Sequence, residues 1–231
     1  MFQTDPFSLI VLLVGLSLLP FVAMIATSYL KIVVVMSLIR NALGIQSIPP
    51  NMVINALAMI LTFYIMAPIM SESWGIAKTE LAKMPTAAQT SSSQASSASK
   101  NVFETDAVAK AAEPFRAFLS KHTTPRERAF FVNTAEQLWG KDDKLANVDP
   151  ESFYILIPSF CVSELTKSFQ IGFLVYLPFI AIDIIVSNIL LAMGMMMVSP
   201  VTISLPFKLL LFVMVNGWTL LIQGLIRGYV I

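Results

Sequence analysis

Long apolar runs with almost no charge constrain this sequence more than any other feature. Residues 71–151 hold ten of the fifteen Lys and Arg residues and eleven of the fourteen Asp and Glu residues. The other 150 residues carry eight charges, which are Asp5, Lys31, Arg40, Glu164, Lys167, Asp183, Lys208 and Arg227. Segments this apolar cannot all form the core of one water-soluble globule of this length, so they need lipid or other helices around them. The pattern predicts an all-α membrane protein.

The distribution of charge also predicts the domain organisation. We expect an N-terminal hydrophobic helical hairpin at 1–70, a polar helical domain at 71–152 and C-terminal hydrophobic helices at 153–231. Four segments have the length and composition of membrane helices, with an amphipathic lead-in at 153–170: these are 7–39, 51–70, about 171–193 and 203–227. Pro20 is expected to kink the first of them.

The polar domain carries its own signals. Residues 86–101 are of low complexity, rich in serine, and predict a flexible linker. The sequence Thr-Pro-Arg-Glu at 124–127 has the form of a capping box with proline at the first helical position. The buried stripe of the following helix is expected at Phe130, Phe131, Ala135 and Leu138. Arg40 in a short loop favours the cytoplasmic side, which puts the polar domain across the membrane.

The sequence lacks the residues that several classes of function need. The net charge is +1 and no basic patch with interleaved aromatics occurs, so we expect no nucleic-acid binding. Cys161 and His122 are the only residues of their kinds, which leaves almost nothing for a metal cluster or for Ser-His-Asp catalysis. We therefore expect no catalytic residue, no metal site and no cofactor.

Four charges set into apolar segments are candidate functional residues: Lys31, Glu164, Asp183 and Lys208. An isolated charge in such a place costs at least about 2.5 kcal/mol, so pairing or access to water is expected. For Asp183, a proton-relay role and structural pairing at a subunit interface both remain open. For Glu164 and Lys208, a pair within the chain, or a lysine that snorkels to the membrane surface, remains open.

Three consecutive methionines, Met195, Met196 and Met197, lie in a predicted hairpin tip at 194–200. Methionine is flexible, polarizable and apolar, so a ring of these side chains from several subunits can form a deformable seal. Hydrophobic constrictions of this kind gate by dewetting. The alternative is that the three side chains fill a hydrophobic core.

The second half of the chain closely resembles the FliP/SctR family, membrane proteins of the type III export apparatus of flagella and virulence injectisomes. The specific match is Gly-Met-Met-Met-Val-Ser-Pro at 194–200 followed by Leu-Pro-Phe-Lys at 205–208. Further matching motifs lie at 40–44, 49–51, 163–165, 169–173 and 176–179. Met-Val-Ser-Pro and the expected absence of a cleaved signal peptide resemble the injectisome branch. Asn216 is a departure, because the family commonly has aspartate there.

The resemblance implies a non-enzymatic, multi-pass protein of a bacterial inner membrane, with its polar domain on the periplasmic side. Five copies would join small two-helix and larger membrane subunits as kinked helical hairpins wound into a helical, conical pore for unfolded secreted proteins. Met195 to Met197 would form its gasket. Glu164 and Lys208 would form salt bridges between subunits, together with Arg126 or Arg128.

Two other functions remain as alternatives. A secondary transporter for a small solute needs internal repeats with paired broken helices, and no such repeat is visible. A purely structural membrane scaffold is harder to separate from a pore subunit, because a pore subunit is also a scaffold.

Overall fold

The computed structural model describes residues 6–45, 48–82, 109–139, 149–195 and 197–230, and the regular structure within them is helical. The helices are α1 (Pro6–Ile25), α2 (Tyr29–Ala42), α3 (Asn51–Ala82), α4 (Glu113–His122), α5 (Pro125–Trp139), α6 (Phe153–Ala192), α7 (Pro200–Met214) and α8 (Gly217–Val230). The predicted linker at 86–101 and Met196 lie outside the described residues. The predicted all-α class is confirmed for the described parts of the chain.

Apolar helices of membrane-spanning length dominate the fold. Within the described residues, α3 and α6 are each long and apolar enough to cross a membrane, and the bent pairs α1–α2 and α7–α8 raise the count to four if each pair is one span. The 40 residues of α6 extend roughly 60 Å, about twice the thickness of a hydrocarbon core. The chain is an all-α membrane protein.

The first apolar run, predicted as one segment, is broken into two helices. Pro20 lies inside α1, and the chain turns by 57° between Ile25 and Tyr29. There the Thr27 hydroxyl donates to the carbonyl of Ala23 (2.7 Å) and accepts from the backbone N–H of Tyr29 (3.4 Å). A hydroxyl that bonds the backbone in this way competes with the helical ladder, which explains why the break occurs here. The kink expected at Pro20 stays a prediction.

The last apolar run, predicted as one helix, is also broken. α7 and α8 meet at an angle of 59°, and Asn216 between them has a φ of 51°. Asparagine tolerates this left-handed conformation better than most residues, so Asn-Gly ends one helix and starts the next. By contrast, the predicted lead-in at 153–170 and the span after it form the single helix α6, which continues through Gly172 and Pro178.

The chain forms two compact units, one of Met1–Ile65 with Cys161–Ile231 and one of Met66–Phe160. The core of the first unit includes buried residues of α2, α3 and α8 at helical spacing: Ile32, Val35, Met36, Ile39, Ile54, Ala58, Leu61, Leu221 and Leu225. Phe179 of α6 and Phe212 of α7 complete it, with ring centroids 6.4 Å apart. The domain boundaries expected at 70 and 152 stay a prediction.

The second unit has a small aromatic core. Phe118 packs against His122 and Phe160, with ring centroids 4.7 and 5.7 Å away, and Leu119 is fully buried beside it. α5 begins at Pro125, as predicted. Its predicted buried stripe was wrong at two of four positions, because Phe130 and Leu138 are exposed while Ala135 is buried.

A close approach of α2 and α6 at Gly172 gives the first prediction. A methyl group at Gly172 would collide with the side chain of Leu38, whereas one at Gly224 in α8 would meet nothing within 4 Å. Gly172→Ala should lower the free energy of unfolding by about 1–3 kcal/mol through overpacking. Gly224→Ala should raise it by up to about 1 kcal/mol, because alanine favours a helix. Denaturation of both variants in detergent measures the difference, and stabilisation by Gly172→Ala would contradict the packing.

Candidate functional site

The hairpin between α6 and α7 begins with a well-formed helix end. The N–H of Gly194 donates to the carbonyl of Leu191, and the N–H of Met195 donates to that of Leu190, both at 3.0 Å. Gly194 has a φ of 72°, the left-handed conformation that glycine adopts without strain. This pair of bonds is the Schellman arrangement, which ends a helix and turns the chain away. α7 then starts at Pro200, where a missing N–H costs nothing.

The described methionines of the tip are exposed. Met195 is 43% exposed and Met197 is fully exposed, while Met196 is outside the described residues. Met193, one residue before Gly194, is exposed as well. In the single chain, Met195 and Met197 therefore do not fill a core. Their flexible apolar side chains are available to other molecules.

A polar clamp joins the two arms of the hairpin below the tip. The Lys208 ammonium lies 2.6 Å from a carboxylate oxygen of Asp183, and the Ser204 hydroxyl donates to the other oxygen at 2.6 Å. The Lys208 side chain is only 5% exposed, against 34% for Asp183. Lys208 also donates to the carbonyl of Ala42 (3.3 Å), the last residue of α2, where a cation complements the helix dipole.

A groove between the two arms extends from beside this clamp to Met193, near the tip. It has a volume of about 400 Å³ and is lined by apolar side chains of both arms, among them Val186, Ile189 and Phe207. The arms are thus held at their base and leave open apolar space nearer the tip.

A second group of charges meets around Glu164 in α6. The Lys31 ammonium lies 2.9 Å from one oxygen of Glu164, which also accepts the hydroxyl of Tyr229. Lys167 donates to the other oxygen at 3.1 Å. Lys31 and Glu164 are almost completely buried, whereas the Lys167 side chain is 36% exposed. The structure thus pairs Glu164 with Lys31 and Lys167, and Lys208 with Asp183, all within one chain.

Three arginines that the sequence analysis singled out differ in exposure and in hydrogen-bond partners. Arg128 is half-buried and donates to the carbonyl (2.7 Å) and hydroxyl (2.9 Å) of Ser120. Arg126 is exposed. Arg40 bonds the side chain of Asn51 and the carbonyl of Pro49 (3.4 Å), so it joins the ends of α2 and α3. Among the described residues, no three His, Cys, Asp or Glu side chains are grouped as metal ligands.

Two polar partners were missed from the sequence. Tyr229 follows the buried residues Leu221 and Leu225 at intervals of four, which places its hydroxyl on the buried face of α8. That spacing was the available signal. Ser204 lies four residues before Lys208 on α7, and the same helical spacing connects the two members of the clamp.

The clamp gives a prediction of unequal effects. Asp183→Asn strands a buried ammonium and should cost about 3–5 kcal/mol of unfolding free energy. Lys208→Met strands a partly exposed carboxylate and should cost less, and the double variant should recover part of the loss. Denaturation of the three variants in detergent tests this order. Additive losses, or a larger loss from Lys208→Met, would contradict the clamp.

Comparison with known proteins matches residues 12–225 to the FliP family. The chain is 50% identical over 227 residues to Yop proteins translocation protein R of Yersinia pestis, covering 97% of each chain. It is 46% identical to the hypersensitivity response secretion protein HrcR of Ralstonia nicotianae, covering 96% of each. It is 39% identical to the flagellar biosynthetic protein FliP of Bacillus subtilis, covering 96% of this chain and 90% of that one. The predicted family is confirmed: the chain belongs to the FliP family.

Proposed function

We propose that this protein is a core membrane subunit of a type III protein export apparatus of the injectisome branch. Copies of it, with other membrane subunits, form a pore through which unfolded proteins cross the bacterial inner membrane. The observation that carries the proposal is the hairpin tip, where exposed methionines follow a helix that ends sharply at Gly194. The names of the relatives, which refer to translocation, secretion and flagellar biosynthesis, support it.

The tip acts as a gasket in this proposal. Methionine side chains repeated around a pore axis form a constriction too apolar to hold a continuous column of water. Because each side chain has three rotatable bonds, the constriction yields to a passing polypeptide and closes behind it. The clamp of Asp183 and Lys208 fixes the base of each hairpin, and the apolar groove leaves the arms room nearer the tip.

Assembly with further copies accounts for the apolar surface of the chain. In the most apolar 18-residue stretch of α3, and in that of α6, only 17% is buried. Large side chains such as Phe63, Phe173 and Leu174 are exposed. Exposed apolar surface on this scale marks contacts with lipid or with other proteins. We assign part of it to lipid and part to neighbouring subunits, in a pentamer that joins the two-helix and larger subunits of the apparatus.

Salt bridges between subunits remain part of the proposal. Glu164 offers one oxygen toward the partly exposed Lys167, so a cation from a neighbour can reach this carboxylate by taking the place of Lys167. Of the two candidate arginines, Arg126 suits this role better, because Arg128 is already engaged with Ser120. In the assembled complex, Lys208 would pair with an acidic group of the next subunit, either in place of Asp183 or in addition to it.

The proposed placement follows from charge. Arg40 lies on the cytoplasmic side, and the polar domain at 71–152 lies on the periplasmic side of the inner membrane. Labelling of an introduced cysteine at exposed Lys121 with a membrane-impermeant reagent, in a Cys161→Ser background, reports this orientation.

The gasket predicts a leak. Replacing Met195, Met196 and Met197 by serine should make the assembled complex permeable to ions and small solutes, because a polar constriction stays wet. The measurement is ion flux through membranes that contain the assembled complex. Met214→Ser and Met52→Ser, at methionines that are also exposed but lie outside residues 194–200, are the controls and should not leak.

The leak also separates the alternatives. An unchanged flux in a fully assembled triple variant would contradict the gasket and favour a structural scaffold. Exchange of a small solute by the protein without its partners would favour a secondary transporter.

A further inference from the structure

Three residues from three helices form a closed polar cluster in the first unit. Lys31 of α2 lies 2.9 Å from Glu164 of α6, and Tyr229 of α8 donates its hydroxyl to the same carboxylate oxygen. The ammonium of Lys31 also lies 3.8 Å from the centre of the Tyr229 ring. Each of the three side chains therefore touches the other two.

The three side chains of the cluster are almost completely shielded from water. Side-chain exposure is 4% for Lys31 and 0% for Glu164, and Tyr229 is buried. Gly228 borders the ammonium closely, since a methyl group there would lie 4.0 Å from it. A partly exposed contact is Lys167, which donates to the outer oxygen of Glu164.

We infer that Lys31, Glu164 and Tyr229 form a buried latch that fixes α8 across α2 and α6, and that Tyr229 is the positioning residue that closes it. A buried ion pair is stable only when further hydrogen bonds satisfy the remaining donors and acceptors of its two charged groups. Tyr229 does this for both charges, because its hydroxyl bonds the carboxylate and its ring face attracts the cation. Phenylalanine keeps only the ring, and leucine keeps neither contact.

The position of Tyr229 on α8 supports the latch. Leu221, Leu225 and Tyr229 are buried at intervals of four residues, so one stripe of α8 ends in the polar cluster. The other end of the helix is set by the turn at Asn216. α8 is thus held at both ends, by a backbone turn and by the latch. This inference does not depend on the proposed pore.

Chemical modification of Lys31 tests the latch. The purified full-length protein in detergent is treated with a water-soluble amine-acylating reagent, and the rate at each lysine is measured by mass spectrometry. Lys208 is the internal control, because it is as buried as Lys31 but pairs with Asp183 instead. In the unaltered protein both lysines should react slowly.

The variants separate the two contacts of Tyr229. Tyr229→Phe should speed acylation of Lys31 about tenfold through loss of a hydrogen bond to a charged group, and Tyr229→Leu should add roughly another fivefold through loss of the ring contact. Lys208 should change by less than about twofold, as expected for a distant, independent site. Tyr176→Phe, another partly buried tyrosine of the unit, should change neither lysine.

Coupling to Glu164 distinguishes a latch from general loosening. In a Glu164→Gln background, Tyr229→Phe should change the rate at Lys31 by less than about twofold, because the hydroxyl no longer meets a carboxylate. An unchanged Lys31 in Tyr229→Leu, or equal acceleration of Lys31 and Lys208, would overturn the inference.

Discussion

The structure depends on the cost of placing charge inside apolar helices. Lys31, Glu164 and Lys208 are almost completely buried, and each has an oppositely charged partner on another helix. An unpaired charge in such surroundings is expensive, whereas apolar contacts between helices are little better than contacts with lipid. The ion pairs therefore determine which helices of the first unit lie together, and the apolar side chains pack around that arrangement.

A small number of polar contacts also determines the shape of the hairpin. Asp183, Ser204 and Lys208 hold its base, and Gly194 turns the chain at its end. Beyond the clamp, an apolar groove lies between the arms, and the described methionines of the tip are exposed. A protein with a rigid polar base and a soft apolar tip is suited to a seal that yields locally while its frame keeps its shape.

Much of the helical fold could be predicted from the sequence, because its signals are local. Apolar runs indicated the hydrophobic helices, and proline at the start of α5 and glycine after α6 marked helix ends correctly, whereas α7 begins at Pro200 rather than near the predicted Ile203. The break after Ile25 could not be predicted, because it depends on the hydroxyl of Thr27 rather than on the more conspicuous Pro20. The turn at Asn216 was missed although Asn-Gly is a turn signal, because the apolar residues on both sides of the pair continue one helical run.

The partners of the charges lay beyond sequence reasoning. A lysine in an apolar helix predicts that a partner exists, but Glu164 is 133 residues from Lys31 in the chain, and its spacing says nothing about that contact. Tyr229 was missed for the same reason, since a tyrosine in an apolar helix usually needs no ionic partner. Phe130 and Leu138 were predicted to be buried but are exposed. Helical spacing predicts which residues share a face, but not whether another element covers that face.

The central claim is that the methionine tip touches the protein in transit. The direct measurement is photocrosslinking from a reactive amino acid placed at Met195 or Met197 in the assembled apparatus, with a substrate stalled by a folded domain at its end. The account predicts crosslinks to the substrate from both positions and none from Met214, which is exposed on α7 away from the tip. Substrate crosslinks from Met214 alone, or crosslinks from Met195 and Met197 to lipid alone, would contradict it.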